Sequence, residues 1–262
     1  MSCLILNKVY HADVFDFLEE LEDGSIDLAI IDPPYNLKKG EWDSFKDEES
    51  YLEFTFRWID AIIPKLNKNA SIYLFNTAYN SAIILNYLRV KSINYRNWIT
   101  WYKKDGFSSS KKKYVNAQET ILFFTKSNDY VFNCDDIRTP YSSADRIAHA
   151  SKKGILKNGK RWFPNENGKL CNDVWEITSQ RHKEKINGKV KSLGHPTVKP
   201  YEMIERIIKA SSDEGALVLD LFSGSGMTSR VAKNLNRRFV GCELNEQYIE
   251  IIKNEGIEIG RL

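Results

Sequence analysis

Apolar side chains recur at helical spacing at Val14, Phe17, Leu18 and Leu21, behind an Asp13 placed to cap the first turn. The short apolar run Ile26 to Ile31 stops at Asp32-Pro33-Pro34 and reads as a buried strand. Tyr51, Phe54, Trp58 and Ile62 return to helical spacing until Pro64, Ser71 to Phe75 reads as a strand, and Asn80 to Arg89 as a helix. The stretches Asn97 to Tyr102 and Glu119 to Thr125 are β-rich. Strand and helix signals that alternate in this way predict an α/β fold with a mostly parallel sheet.

From about Asn128 to Gly194 that rhythm is lost. The segment is rich in Asn, Gly, Ser, Lys and aromatics, and its apolar residues show no clear period. The rhythm then returns. Pro200 opens a helix whose core face is Met203, Ile204, Ile207 and Ile208. A strand over Ala216 to Phe222, a tight loop over Ser223 to Gly226, a helix over Thr228 to Leu235 and a strand over Arg238 to Glu243 follow. Asn245 caps a last helix through Tyr248, Ile249 and Ile252. The expected division is two halves of one domain, 1–127 and 195–262, separated by an insert, 128–194.

Composition narrows the class without naming it. The 262 residues are 42% apolar and 28% charged, too apolar for a disordered chain. No apolar run reaches the roughly 18–20 residues that a membrane span needs, and no signal-peptide pattern opens the chain. Four widely spaced cysteines, Cys3, Cys134, Cys171 and Cys242, form no zinc pattern, so no metal and a reduced, cytoplasmic setting are expected. The net charge of +3 conceals an asymmetry: Ala150 to Lys199 carries twelve Lys and Arg against four Asp and Glu. A second basic tract comprises Lys103, Lys104, Lys111, Lys112 and Lys113. Concentrated positive charge on a weakly charged body fits a polyanion, though Lys/Gly/Asn-rich stretches are also ordinary solvated loops.

Two motifs carry candidate chemistry. In Leu219-Asp220-Leu221-Phe222-Ser223-Gly224-Ser225-Gly226-Met227-Thr228, a hydrophobic strand runs into a glycine pair and then a helix. Glycines there let the backbone turn sharply and let a ligand approach the main chain. Glu243, ending the next strand, is placed to accept hydrogen bonds from both hydroxyls of a ribose. Ser229 stands where a dinucleotide fingerprint needs Gly or Ala, which weakens a nicotinamide oxidoreductase reading and leaves S-adenosylmethionine, a nucleoside without a pyrophosphate. A plain strand-loop-helix turn is the alternative.

The second motif is Asp32-Pro33-Pro34-Tyr35, directly after the strand Ile26 to Ile31. Consecutive prolines fix their own φ angles, restrict the residue before them and present carbonyls with no matching N–H. An acidic side chain and a preset carbonyl then point at one spot beside a flat tyrosine ring. Such a site suits an exocyclic amine on a planar base. The alternative is a proline-stiffened strand end.

Together these motifs resemble the amino-group DNA methyltransferases, in which Asp-Pro-Pro-Tyr is the catalytic motif and Phe-x-Gly-x-Gly the cofactor motif. Their order here, with the basic insert between them, is similar to the β class of that family, and the resemblance covers nearly the whole chain. It extends to His195-Pro196-Thr197-Val198-Lys199-Pro200, to an N-terminal Asp matched by Asp13, and to Glu243 with Leu244 beside it. The resemblance implies a doubly wound, mostly parallel sheet with helices on both faces in a circularly permuted motif order. The strand ending at Phe222 would lie next to the strand ending at Ile31. It implies Asp32, Pro33, Pro34 and Tyr35 as catalytic residues. It implies Asp13, Asp32, Thr197, Lys199, Asp220, Phe222, Ser223, Gly224, Ser225, Gly226, Thr228, Glu243 and Leu244 as the S-adenosylmethionine site.

The implied activity is methylation of adenine N6 in duplex DNA by a base-flipping enzyme. A restriction–modification context, a cognate endonuclease not required to bind, and a homodimer accompany it. The basic residues at 103, 104 and 111–113, with Asn172, Gln180, Arg181 and His182, are the candidate DNA contacts. Asp13 is equally a helix cap, and Thr197 and Lys199 equally the entry to the helix at Pro200. Cytosine-N4 methylation, RNA methylation and a non-catalytic DNA-binding module are the competing readings.

Overall fold

The computed structural model describes residues 4–104, 111–179, 183–186, 189–192 and 198–262. Its elements run β1 (Lys8–His11), α1 (Val14–Glu20), β2 (Ile26–Ile31), α2 (Glu48–Ile62), β3 (Leu66–Asn76), α3 (Ala78–Leu88), β4 (Asn94–Tyr102) and β5 (Gln118–Thr125). They continue with α4 (Ala144–Lys153), β6 (Ile155–Lys157), β7 (Lys160–Trp162), β8 (Val174–Glu176), β9 (Lys183–Ile186) and β10 (Lys189–Ser192). The last are α5 (Tyr201–Ser211), β11 (Leu217–Asp220), α6 (Met227–Asn234), β12 (Arg238–Glu243), α7 (Glu246–Asn254) and β13 (Glu258–Gly260).

Nine strands form one sheet in the order β13-β1-β12-β11-β2-β3-β5-β4-β8. From β13 to β3 every neighbouring pair is parallel. β5 then pairs antiparallel with both β3 and β4, and β8 runs parallel to β4 at the far edge. Successive side chains of a strand face opposite ways. In β2, Leu28 and Ile30 therefore join one buried cluster with Met203, Ile207, Val231 and Ile252 of α5, α6 and α7. Ala29 and Ile31 join the other, with Phe17, Trp58, Ile62 and Ile84 of α1, α2 and α3. Burial on both faces is why this strand is apolar at five of its six positions, all but Asp27, rather than at alternate ones. The sheet is doubly wound, as expected, and β11 lies beside β2 with Val218 opposite Leu28 and Leu219 opposite Ala29.

The caps act as the sequence predicts. Asp13 accepts the Phe15 N–H at 2.8 Å and Asn245 the Gln247 N–H at 2.9 Å. β11 is shorter than the expected strand because the chain leaves the ladder at Asp220, whose side chain accepts the Phe222 N–H at 3.2 Å. β3 is longer, starting at Leu66 rather than Ser71.

The arrhythmic middle adds the hairpin β6–β7, the hairpin β9–β10 and the edge strand β8. It touches the core through single residues, among them Ile137, Ala150, Trp175 and Ile177, all buried. Asn133 fastens it to the end of α5 through its backbone N–H on Ala210 O and its amide on Lys209 O and Ser212 O. One apolar residue per short element gives no period to read. Among the described residues no helix is long and apolar enough to cross a membrane.

Candidate active site

The carboxyl ends of the parallel strands converge on one cavity of about 320 Å³, at the edge where open α/β sheets bind ligands. β2 delivers Asp32, β11 delivers Asp220, β12 delivers Glu243, and the turn after β1 delivers Asp13. β5 runs the other way, with Thr120 opposite Asn76 of β3, so its first residues reach the same edge and bring Glu119. β4 pairs Trp101 with Glu119, which sets Lys103 just beyond it.

Asp32 is engaged through both oxygens. The Tyr35 hydroxyl donates to Oδ1 at 2.7 Å and the Lys199 ammonium to Oδ2 at 2.5 Å. Glu119 Oε2 lies 3.4 Å from the same hydroxyl and 3.7 Å from the same ammonium, and Glu119 Oε1 pairs with Lys103. Lys199 Nζ also sits 5.5 Å from the Tyr35 ring centroid and 5.2 Å from that of Phe75. Burial alone would lower the Lys199 pKa, but Asp32 and Glu119 outweigh it and hold the ammonium charged. Burial pushes the Glu119 carboxyl up, and Lys199 and Lys103 overcome that and keep it below its ordinary value. Burial and then the carboxylates of Asp32 and Glu119 hold the Tyr35 hydroxyl protonated, well above the ordinary tyrosine value.

The backbone after the two prolines is clamped from both sides. The buried carboxylate of Asp43 accepts the N–H groups of Tyr35, Leu37 and Lys39 at 2.6, 3.0 and 3.2 Å. Asn80 Nδ2 donates to the Tyr35 carbonyl at 2.9 Å and is itself held by Asn76 Oδ1 at 2.8 Å. The loop carries Asn36 and Lys38 in the left-handed region, at φ 59° and 58°. That strain, which side chains other than glycine rarely accept, is what three hydrogen bonds to one carboxylate hold in place.

The other half of the cavity is built on the glycine loop. Gly224 N–H donates to Glu243 Oε2 and Asn245 N–H to Oε1, both at 2.8 Å. Burial raises the Glu243 pKa against those hydrogen bonds. Asp220 is more strongly affected: burial pushes its carboxyl up to about 7 in spite of a hydrogen bond from Thr228. Gly226 is the N-cap of α6 at φ 74°, where a Cβ would be strained and would crowd Ile252. Gly241 of β12 permits the close approach of β11, since a Cβ there would meet Asp220 O at 2.6 Å.

Of the residues singled out in the sequence, Asp13, Asp32, Pro33, Pro34, Tyr35, Lys199, Asp220, Phe222, Ser223, Gly224, Ser225, Thr228, Glu243 and Leu244 all line this one cavity. Gly226 stands behind it at the start of α6. Thr197, Gln180, Arg181 and His182 lie outside the described residues. Among the candidate DNA contacts, Lys111, Lys112 and Lys113 are exposed. Lys104 pairs with Glu176, and Asn172 Oδ1 accepts the Val174 N–H at 3.2 Å. Glu119, Asp43, Trp42, Phe45 and Phe54 line the cavity too, and none of them was expected there from the sequence. Glu119 had one weak signal, a lone acid near the head of a strand whose apolar stretch is Ile121 to Phe124.

Comparison with known proteins agrees with this geometry. A family model described as DNA methylase, of the N6/N4 type, matches residues 26–254. The chain is 56% identical over 246 residues to the type II methyltransferase M1.MboII of Moraxella bovis, covering 94% of this chain and 95% of that protein. It is 34% identical over 260 residues to the type II methyltransferase M.BglII of Bacillus subtilis, covering 94% and 68%. Among solved structures, an M1.HpyAVI–SAM complex superposes with a TM-score of 0.60 at 26% identity, covering 94% of this chain and 98% of that one. The cytosine-N4-specific PvuII DNA methyltransferase shares the fold, with a TM-score of 0.69 at 16% identity over 95% and 86% of the two chains.

Proposed function

The chain belongs to the N6/N4 DNA methylase family, and from that premise we propose that it methylates adenine N6 in duplex DNA as the modification half of a restriction–modification system. The observation that carries the reading is the meeting of Asp32-Pro33-Pro34-Tyr35 and the Glu243-bound glycine loop in one cavity, from opposite ends of the chain.

The cofactor half fits S-adenosylmethionine. Glu243 is a mostly buried carboxylate whose oxygens each take one backbone N–H, leaving lone pairs for the two ribose hydroxyls. Asp13 and Leu244 flank the adenine side, and Asp220, with Phe222 to Ser225, faces the remainder. Bound there, S-adenosylmethionine supplies a methyl group already activated on a sulfonium.

The protein's own task is to make a poor nucleophile react. An exocyclic amine spreads its lone pair into the ring. The Asp32 carboxylate and the Pro33 carbonyl accept its two N–H bonds and favour a pyramidal nitrogen. Positive charge grows on that nitrogen as the new bond forms, so both oxygens bind the transition state more tightly than the ground state. The Asp43–Asn80 clamp keeps Tyr35 and the prolines from drifting, and such alignment supplies up to roughly 7–11 kcal/mol. Tyr35 presents its ring to the flipped base. Its hydroxyl bond to Asp32 couples ring position to carboxylate position.

Asp rather than Ser before the prolines supports adenine over cytosine. The division into 1–127, 128–194 and 195–262, with the basic segment on DNA phosphates and base edges, follows from the motif order. A homodimer and a cytoplasmic location complete the reading, with a cognate endonuclease that is not required to bind, in keeping with kinship to type II methyltransferases.

The test is to incubate the protein and the methyl donor with unmethylated duplex DNA and, in parallel, with RNA, digest each to nucleosides, and identify the product. N6-methyl-2′-deoxyadenosine is expected. N4-methylcytosine alone overturns the adenine assignment, transfer to RNA alone overturns the substrate class, and no transfer overturns the enzyme.

A further inference from the structure

Both oxygens of Asp32 already have donors, the Tyr35 hydroxyl on Oδ1 and the Lys199 ammonium on Oδ2. An incoming amine must displace one of them or share an oxygen with it. An amine that shares Oδ2 with an ammonium would gain positive charge directly beside a fixed positive charge. Both donors face a second acceptor, Glu119 Oε2, at 3.4 and 3.7 Å. The Lys199 and Glu119 side chains are only 9% and 13% exposed, so water offers the ammonium little alternative.

We propose that Glu119 is a positioning residue that receives the Lys199 ammonium when the target amine binds, so that Asp32 Oδ2 faces the substrate nitrogen as an uncompensated carboxylate. Glu119 and Asp32 form a two-acid cradle for one buried cation. The cation rests on Asp32 while the site lacks its base and shifts toward Glu119 when the amine takes its place. The move is short, and the Tyr35 and Phe75 rings that flank Nζ leave room for the charge without binding it tightly. Lys103 holds the other oxygen of Glu119 and fixes the orientation of the acceptor. The inference rests on Asp32 acting on an amine as proposed above.

The test is a double-mutant cycle on the full chain, read as single-turnover methyl transfer to duplex DNA at saturating methyl donor, with donor affinity measured by calorimetry. Glu119→Gln should slow transfer by roughly 10- to 100-fold while donor affinity changes by less than about threefold. Glu119→Asp, which keeps the charge, should recover part of the rate. In a Lys199→Met background, where no ammonium competes for Asp32, Glu119→Gln should cost little further. Thermal midpoints identify any variant that loses rate by unfolding, and Glu119→Asp with Lys199→Met then carries the comparison. A Glu119→Gln rate within about twofold of wild type, or an equal loss in both backgrounds, overturns the proposal. A wild-type protein that transfers no methyl to DNA overturns the functional reading instead, so the two failures are distinct.

Discussion

Asp43 accepts the backbone N–H of Tyr35 at 2.6 Å, eight residues upstream of itself, and so makes the turn that follows Asp32-Pro33-Pro34 a closed ring. The carboxylate is buried and also carries the N–H groups of Leu37 and Lys39. Removing it leaves three donors unpaired and frees a strained loop. Asp43→Ala should reduce methyl transfer by about 100-fold through misplacement of Tyr35, with a lowered thermal midpoint. Asp43→Asn, which retains one acceptor oxygen, should fall between. Single-turnover rates alongside thermal melts check this, and an Asp43→Ala enzyme with wild-type kinetics contradicts it.

Asp32→Ala should bind the methyl donor and yet lose most of its transfer rate, by about 100-fold or more. Calorimetry and a labelled-methyl assay separate the two quantities. Near-normal turnover would remove Asp32 from the mechanism.

Glu243→Ala should act on affinity rather than on the chemical step. It deletes the acceptor proposed for two ribose hydroxyls and releases the Gly224 N–H that shapes the loop. Donor affinity should drop by roughly 10- to 100-fold. An unchanged titration would argue that the ribose lies elsewhere.

Asp220 predicts a pH effect on stability. Its folded pKa, near 7, stands above the ordinary value of 3.8 because the buried carboxyl resists ionisation. The folded protein therefore holds a proton that the unfolded chain has released. The stability this contributes is complete below about pH 4 and is lost as pH rises to about 7, up to about 4 kcal/mol. Asp220→Asn should flatten that slope and raise the thermal midpoint at pH 8 in the absence of ligand. Melts from pH 5 to pH 8 test it, and parallel curves for variant and wild type would refute it.

DNA binding should weaken steeply with salt. If Lys111, Lys112 and Lys113 and about three cations of the basic segment meet phosphates, about six contacts imply a roughly 10³-fold loss between about 50 and 200 mM. A flat dependence, measured by anisotropy of labelled duplex, would detach these residues from DNA.

The sequence made legible whatever a motif or a period marks. The run Ile26 to Ile31 is bounded by prolines, and Asn245 stands at a cap, so the structure returns both as read. Asp32 and Glu243 were visible because each ends an apolar strand. Asp43 and Glu119 were not. Asp43 ends a single 3-10 turn, Glu41–Asp43, among other charges and matters only because the chain folds back on Tyr35. Glu119 matters because β5 runs antiparallel to β3, and nothing local to Gln118–Thr125 states that direction. The segment around Trp175 was read as arrhythmic for a related reason. β8 joins the sheet through three residues, and its single buried side chain gives no repeat.

The pairing of β2 with β11 also sets a timetable. Asp27, in β2, accepts the backbone N–H of Leu217 across 190 positions of sequence. At synthesis rates of about 5–20 residues per second, β2 waits roughly 10–40 s for that neighbour. Through that interval one side of a strand that is apolar at every position but Asp27 stands unpaired, and neither half of the cavity has its partner. Folding should therefore be slow, as for any topology dominated by distant contacts. An interrupted chain that ends before β11 would carry the Asp32 turn and remain incapable of methyl transfer.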